Sequence, residues 1–289
     1  MAVVATGFFD GVHLGHRLVI DTLLSEACKR SEQSVIVTFW PHPRTVLQKD
    51  ARELRLLSSR SEKMEMLRSL GVDRVEVLPF TREFASLPAE RYIKEILPEY
   101  DCSCLVLGYD TRLGSDLMGP AEISAIHPDS VTVEAAHDTD GTIISSTKIR
   151  QALDSGRLDI ASRMLGYHYE LSGVVVSGNQ LGRTIGFPTA NMQVYDPMKI
   201  IPARGVYLTE VQTLGHSYFG MTNIGVRPTV SDVRLPVIET NIFDFDEMIY
   251  GLDIKLRFIS RIRDERKFDS LDALKSQLAA DRAFCLSRC

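Results

Sequence analysis

The stretch TGFFDGVHLGH at residues 6–16 constrains the fold more than any other part of the chain. It follows a short apolar run at 2–5. It leads into a segment where Leu18, Thr22, Leu23 and Ala27 recur at helical spacing. The pattern predicts a strand, a tight turn and the start of a helix. Gly7, Gly11 and Gly15 supply backbone freedom and room for close approach. His13 and His16 become neighbours once the first helical turn has begun. A helix N-terminus presents free N–H groups and the positive end of a dipole, which favours phosphate. Two imidazoles there would add side-chain donors. A histidine pair at a helix start also occurs for purely structural reasons.

The rest of the first half alternates strand and helix signals. Strands are predicted at 35–39, 75–78, 104–107 and 131–135. Ser59 and Glu62 have capping-box spacing for a helix carrying Met64, Leu67 and Leu70 and ending at Gly71. A second helix is predicted at 88–97, with Pro88 in its first turn. Helical sequence at 151–166 is interrupted at Ser155 and Gly156 and stops at Gly166. Strands parted by helices imply a parallel sheet covered on both faces, with ligands at the carboxyl ends of its strands. The opening motif lies at such an end. So do His42, between two prolines, and the glycine-containing loop 108–119. His42 reads either as part of a surface turn or as a nucleotide contact. Residues 144–150, ISSTKIR, open a helix: Ser145, Ser146 and Thr147 suit either capping or phosphate binding, with Lys148 and Arg150 adding positive charge.

After Gly166 the texture changes. Five β-rich runs, at 169–176, 205–211, 218–224, 237–243 and 254–259, are parted by Gly, Pro and Asn turns. No helix signal appears until 270–284, where Leu271, Leu274, Leu278 and Ala279 form an apolar stripe. This predicts an antiparallel sheet or small barrel closed by a helix, with the domain boundary at 166/167. Within it, GNQLGRTIGFPTAN at 178–191 has three loop glycines, Gly178, Gly182 and Gly186. Thr189 and Asn191 offer hard oxygen ligands suited to Mg²⁺. A glycine- and proline-rich barrel connection explains the same residues. Glu239 sits in an otherwise apolar run and must face solvent, a partner or a ligand.

The chain has 289 residues, 44% hydrophobic and 25% charged, ordinary values for a soluble protein. A net charge of −5 argues against a general nucleic-acid binder. No apolar run approaches membrane-spanning length, and no signal-peptide pattern precedes the first strand. The 5 cysteines lack C-x-x-C spacing. They read as reduced thiols of a cytoplasmic protein, Cys102 and Cys104 on one face of a strand. Oligomeric state stays open.

The H-x-G-H stretch resembles the nucleotidyltransferase superfamily. With ISSTKIR, GRTIGFPTAN and ETNIFDFDEMIYG following in order, the chain resembles the bacterial bifunctional riboflavin kinase/FMN adenylyltransferases, or FAD synthetases, over nearly its whole length. The resemblance implies a nucleotidyltransferase α/β domain at 1–166 and a six-stranded flavokinase barrel at 167–289. It implies that riboflavin and ATP give FMN, and that FMN and a second ATP give FAD. In the first domain it puts His13 and His16 on ATP phosphates. Gly7, Phe9, Asp10, Gly15, Ser146, Thr147 and Arg150 would line the ATP site, and His42 and Asp110 the flavin site. In the second it assigns Gly178, Gly182, Arg183, Gly186, Pro188, Thr189 and Asn191 to ATP. Thr189 and Asn191 would bind Mg²⁺, and Glu239 would be the base. The family pattern G-x-D-F-x-F-G reads GYDTRLG at 108–114, with Thr111 and Leu113 in place of aromatics. That departure leaves an alternative reading: an active kinase beside a degenerate nucleotide- or flavin-binding regulatory module.

Overall fold

The computed structural model describes residues 1–47, 54–178, 181–227 and 235–288. The chain separates into two compact units, Met1–Ser146 and Thr147–Cys289. The division falls before the Gly166 boundary expected from texture, so the two helices preceding Gly166 group with the second unit.

The first unit is built on a five-stranded sheet in the order β3-β2-β1-β4-β5. Its strands are β1 (Ala2–Thr6), β2 (Gln33–Trp40), β3 (Arg74–Pro79), β4 (Cys102–Gly108) and β5 (Ser130–Val133). All neighbouring pairs are parallel. β1 is central and buried along its whole length, as its apolar run at 2–5 requires. On one face Val3 and Ala5 pack with Val19, Ile20, Leu23 and Ala27 of helix α1 (Leu14–Arg30). On the other, Ala2 and Val4 join Phe39, Leu107, Tyr92 and Leu97. The buried stripe of α1 therefore differs from the expected one: Leu18 is 39% exposed. At about 100° per residue Leu18 stands well round the helix from Leu23.

Helix α2 (Arg60–Ser69) begins on the predicted capping box. Ser59 Oγ accepts from Glu62 N, and Glu62 Oε2 accepts from Ser59 N. Its buried residues are Lys63 and Leu67; Leu67 belongs to the expected stripe, with Leu70 packed beside the same core, and Lys63 does not. The helix expected at 88–97 is irregular: an α turn at Ala89–Arg91, a π turn at Tyr92–Ile96, then a 3-10 turn at Leu97–Tyr100. Pro98 supplies no N–H to continue regular α bonding. A register shift between Ala2 and Val3 along β4 leaves Ser103 as an extra residue. Cys102 and Cys104 consequently pack into different core clusters rather than on one face. The described cysteines are all free thiols. Helix α3 (Pro120–Ile126) precedes β5.

The second unit holds helices α4 (Ser146–Asp154) and α5 (Leu158–Leu165), the latter ended by Gly166 at φ 77°. A closed antiparallel barrel follows, in the order β10-β7-β6-β11-β8-β9. Its strands are β6 (Glu170–Val176), β7 (Ala190–Val194), β8 (Gly205–Thr213), β9 (His216–Arg227), β10 (Leu235–Ile242) and β11 (Asp253–Arg263). β7 and a short helix at Leu181–Thr184 are additions to the sequence reading. Buried hydroxyls of Thr209, Thr222 and Thr240 form a ladder, at 2.8 Å and 2.9 Å. Helix α6 (Leu271–Leu286) is capped by Ser270 and covers the outside of the barrel. Its contact face runs through Leu278 and Cys285 against Val206, Leu208 and Met221. Leu271 is 55% exposed, so the stripe starts later than expected. No described helix is long and apolar enough to cross a membrane.

Candidate active sites

In the first unit the chain leaves β1 through a contorted turn. Phe9 (φ 55°) and Val12 (φ 38°) join Gly11 (φ 73°) in the left-handed region. Non-glycine residues pay strain there, and such strain concentrates at functional loops. The turn is held from beneath. The buried carboxylate of Asp10 accepts from Leu57 N at 3.0 Å and Ser58 N at 3.1 Å, and Ser58 Oγ accepts from Gly11 N at 2.9 Å. Asp10, expected among the ATP contacts, thus points its carboxylate into the protein as an anchor. Its own carbonyl accepts from Ser146 Oγ at 3.3 Å.

His13 is the N-cap of α1 and 5% exposed. Its Nδ1 accepts from His16 N at 3.3 Å. A neutral ring accepting at Nδ1 carries its proton on Nε2, leaving Nε2–H as a donor. The His13 and His16 rings stack with centroids 3.6 Å apart, and Phe9 meets His16 edge-on at 5.3 Å. A Cβ on Gly15 would stand 3.1 Å from His13 Cε1, so glycine there leaves room for the imidazole. Gly7 similarly lies against the Phe9 ring and donates its N–H to Val37 O. The arrangement presents two imidazoles and the free N–H groups of a 17-residue helix at the carboxyl edge of the sheet.

His42 follows a cis Trp40–Pro41 bond. Its ring meets Phe8 edge-on at 4.3 Å, and its Nδ1 accepts from Arg44 N. After β4, Asp110 is exposed and borders Gly108. Of the two positions that depart from the family pattern, Leu113 is buried in the sheet core and Thr111 is half-buried. Thr147 and Arg150 occupy the first two turns of α4, assigned to the second unit.

In the second unit a cavity of about 300 Å³ opens on the outer wall of the barrel beneath α6. Thr189, Glu239, Asn241, Asn223 and Arg263 are among its lining residues. Glu239 on β10 is register partner to Asn191 on β7 and Asn223 on β9. Directly opposed residues share one face of a sheet, so a carboxylate stands between two amides across three strands. Asn241 Nδ2 donates to Pro188 O at 2.7 Å and ties the P-T-A-N segment to β10. A Cβ on Gly178 would overlap the Asn191 amide at 2.2 Å, and one on Gly182 would meet Phe187 O at 2.2 Å. Both glycines are therefore required by close approach, and Gly186 by its φ of 83°. The side chain of Arg183 lies outside the described residues.

Sequence reasoning missed two participants in these regions. Lys63 lies beneath the first turn. Arg263 lines the second cavity, its Nε and Nη2 donating to Asp281 Oδ2 at 2.9 Å and 2.6 Å. Neither stands in a motif.

Comparison with known proteins matches both halves. Residues 1–148 fit the FAD synthetase family model and residues 165–288 the riboflavin kinase model. The chain is 36% identical over 287 residues to the bifunctional riboflavin kinase/FMN adenylyltransferase of Bacillus subtilis, covering 97% of this chain and 90% of that protein. It is 37% identical over 285 residues to the protein of the same name from Escherichia coli K12, covering 96% and 90%. A crystal structure from Streptococcus pneumoniae, named as a macrolide-efflux protein, superposes with a TM-score of 0.92 at 34% identity, covering 98% of this chain and 92% of that one. That efflux name belongs to that protein alone. Two matched domains in one chain, each over the half that holds its motifs, settle the family: the chain belongs to the bifunctional riboflavin kinase/FMN adenylyltransferases.

Proposed function

We propose that residues 1–166 carry the adenylyl transfer and residues 167–289 the phosphoryl transfer of this bifunctional enzyme, each with the residues described above. The chain phosphorylates riboflavin to FMN with ATP and adenylylates FMN to FAD with release of pyrophosphate. The cavity shared by Thr189 and Glu239 carries the assignment of the kinase site.

In the kinase step the riboflavin 5′-hydroxyl oxygen attacks the γ-phosphorus of ATP. The bond to the β–γ bridging oxygen breaks and ADP leaves. Glu239 accepts the hydroxyl proton, which an alcohol must lose as it becomes a phosphate ester. Asn191 and Asn223 stand opposite Glu239 on the two neighbouring strands. Gly178, Gly182 and Gly186 let the loop before β7 close on phosphates, with Arg183 and Pro188 beside them. Among the described residues no cluster of His, Cys, Asp or Glu could cage a metal by itself. Hydroxyl and amide oxygens of Thr189 and Asn191 fit Mg²⁺ held jointly with nucleotide phosphates. When bound, the ion neutralises phosphate charge.

In the adenylyl step a phosphate oxygen of FMN attacks the α-phosphorus of ATP, and the bond to the α–β bridging oxygen breaks. An FMN phosphate is already ionised at neutral pH, so no base is needed. Chain residues position and stabilise charge: His13 Nε2–H, the His16 ring and the start of α1 face the phosphates. Gly7, Phe9 and Gly15 shape that turn, while Ser146 adds a hydroxyl beside the Asp10 carbonyl. His42 and Asp110 lie on the flavin side. The substrates are small molecules, with neither nucleic acid nor membrane as partner, and the setting is cytoplasmic. A net charge of −5 supports the exclusion of nucleic acid.

Glu239→Gln tests the kinase assignment. The amide is nearly isosteric but takes no proton, so riboflavin phosphorylation should fall by about 10²–10⁴-fold. FMN supplied directly should still give FAD. Normal phosphorylation would make Glu239 a solvated strand residue; loss of both activities in a folded chain would refute independent sites.

A further inference from the structure

Lys63 is 1% exposed, the one lysine among the largest fully buried side chains. Its Nζ donates to Phe8 O at 2.8 Å, to Thr38 Oγ1 at 3.0 Å and to Phe39 O at 3.3 Å. Thr38 Oγ1 in turn donates to Phe8 O at 3.1 Å. One amino group thus joins three elements: α2, the turn after β1, and the end of β2. It also lies 3.7 Å from the centroid of the Phe8 ring and 5.9 Å from that of Trp40. The charged groups that face it are Asp10, from the turn, and Arg60, from its own helix.

An apolar side chain of similar length would fill this space without desolvating a charge. What it would not do is fix the Phe8 carbonyl. Phe8 is followed by the strained Phe9 and by Asp10, and its ring touches His42 at 4.3 Å. The backbone of Phe8 leads to the His13–His16 turn; its side chain leads to the loop after β2. We propose that Lys63 is a positioning residue for adenylyl transfer, clamping Phe8 so that the Phe8–His42 edge presents one geometry to the flavin end of FMN. The inference rests on the reading of residues 6–16 as the adenylyl-transfer site.

The test compares FAD formation from FMN and ATP by the full-length chain and its Lys63→Met, Phe8→Leu and double variants, with His16→Ala as control. Lys63→Met should lower kcat/KM for FMN by about 10–10²-fold, the range for misplacement of a site by about an ångström. The loss should lie in the KM for FMN, with the KM for ATP near the parent value. Phe8→Leu keeps the lysine and removes the ring that meets His42, so it should raise the KM for FMN too. The double variant should be no worse than the poorer single, as expected for residues acting through one contact. Thermal melting and riboflavin phosphorylation check that each variant is folded. A folded Lys63→Met chain with parental kinetics overturns the inference, as do losses that multiply in the double variant. Should Lys63→Met fail to fold, parental kinetics in Phe8→Leu overturn it alone. Undiminished FAD formation by His16→Ala would overturn the site reading itself.

Discussion

Asp281 should be the most sensitive point of the C-terminal helix. The carboxylate is 4% exposed and the Arg263 side chain 12%, so both charges are withdrawn from water. Arg263 places two donors on Oδ2, and Gln277 Nε2 donates to Oδ1 at 2.8 Å. Asp281→Ala would leave a guanidinium without its counter-charge beside the cavity that it lines. Removing one partner of a buried pair costs about 3–5 kcal/mol, where an ordinary domain has about 5–15 to lose. The helix end is near solvent and able to relax, which favours the lower figure. Leu278 and Cys285 also hold α6 on the barrel, and Arg282 Nη2 donates to Asp244 Oδ1 at 2.8 Å. Urea unfolding followed by circular dichroism should therefore show a midpoint drop corresponding to about 3 kcal/mol. Riboflavin phosphorylation should fall with it, since Arg263 lines the cavity. Replacing the pair together, Asp281→Leu with Arg263→Met, should recover most of the stability, because no charge is then stranded. A single variant that loses under about 1 kcal/mol, or a double variant as unstable as the single, would refute the reasoning.

His16→Ala should remove FAD formation while leaving FMN formation near the parent rate; one lost transition-state donor typically costs about 10²–10³ in rate, and product analysis by chromatography checks it. Thr189→Val keeps volume but deletes a hydroxyl, so calorimetry should show weaker Mg-ADP binding and kinase assays a lower rate; unchanged values for both would remove Thr189 from the ligand set. Burial lowers the Lys63 amino group to about 7, with Arg60 acting in the same direction and Asp10 opposing it. Below pH 7 the folded chain then carries a buried charge. As pH rises towards the ordinary lysine value near 10.4, the unfolded chain binds the extra proton and stability rises, by at most about 1.4 kcal/mol per pH unit. Denaturant melts at pH 7 and pH 9 should show the parent gaining on Lys63→Met; a constant difference between them would refute the lowering of the Lys63 amino group by burial.

The β1–turn–α1 unit was legible because its apolar run, glycines and histidine pair are contiguous. The capping box at Ser59 was legible for the same reason: its partners sit three residues apart. What sequence could not supply was anything set by distant backbone. Asp10 looks like a ligand-facing acid until Leu57 and Ser58 arrive beneath it. Glu239 had even claims on solvent and ligand, because alternation within β10 does not show which face α6 covers. β7 escaped notice since Ala190–Val194 mixes Asn and Gln into a short strand without clear alternation. A lysine after a capping box reads as a solvated residue, and only the tertiary structure turns Lys63 inward. The glycine pattern at 178–186 reads equally as a connection; that the Asn191 amide crowds Gly178 could not be read from the sequence.

The closed barrel has a kinetic consequence. Asn191 and Glu239 are partners across the β7–β10 seam, while Glu239 and Asn223 are partners across β9–β10. The second pair lies 16 residues apart in the chain and the first 48, while the β6–β11 seam joins Glu170 to Arg257, 87 apart. Loop-closure entropy makes such long-range pairing a late event in chain collapse. The row proposed for the kinase site needs both seams of β10, so the β9–β10 pair alone cannot form it. A chain arrested with an open β7–β10 seam would keep most of its ladders and lack that row, so the onset of phosphorylation reports that this seam has closed.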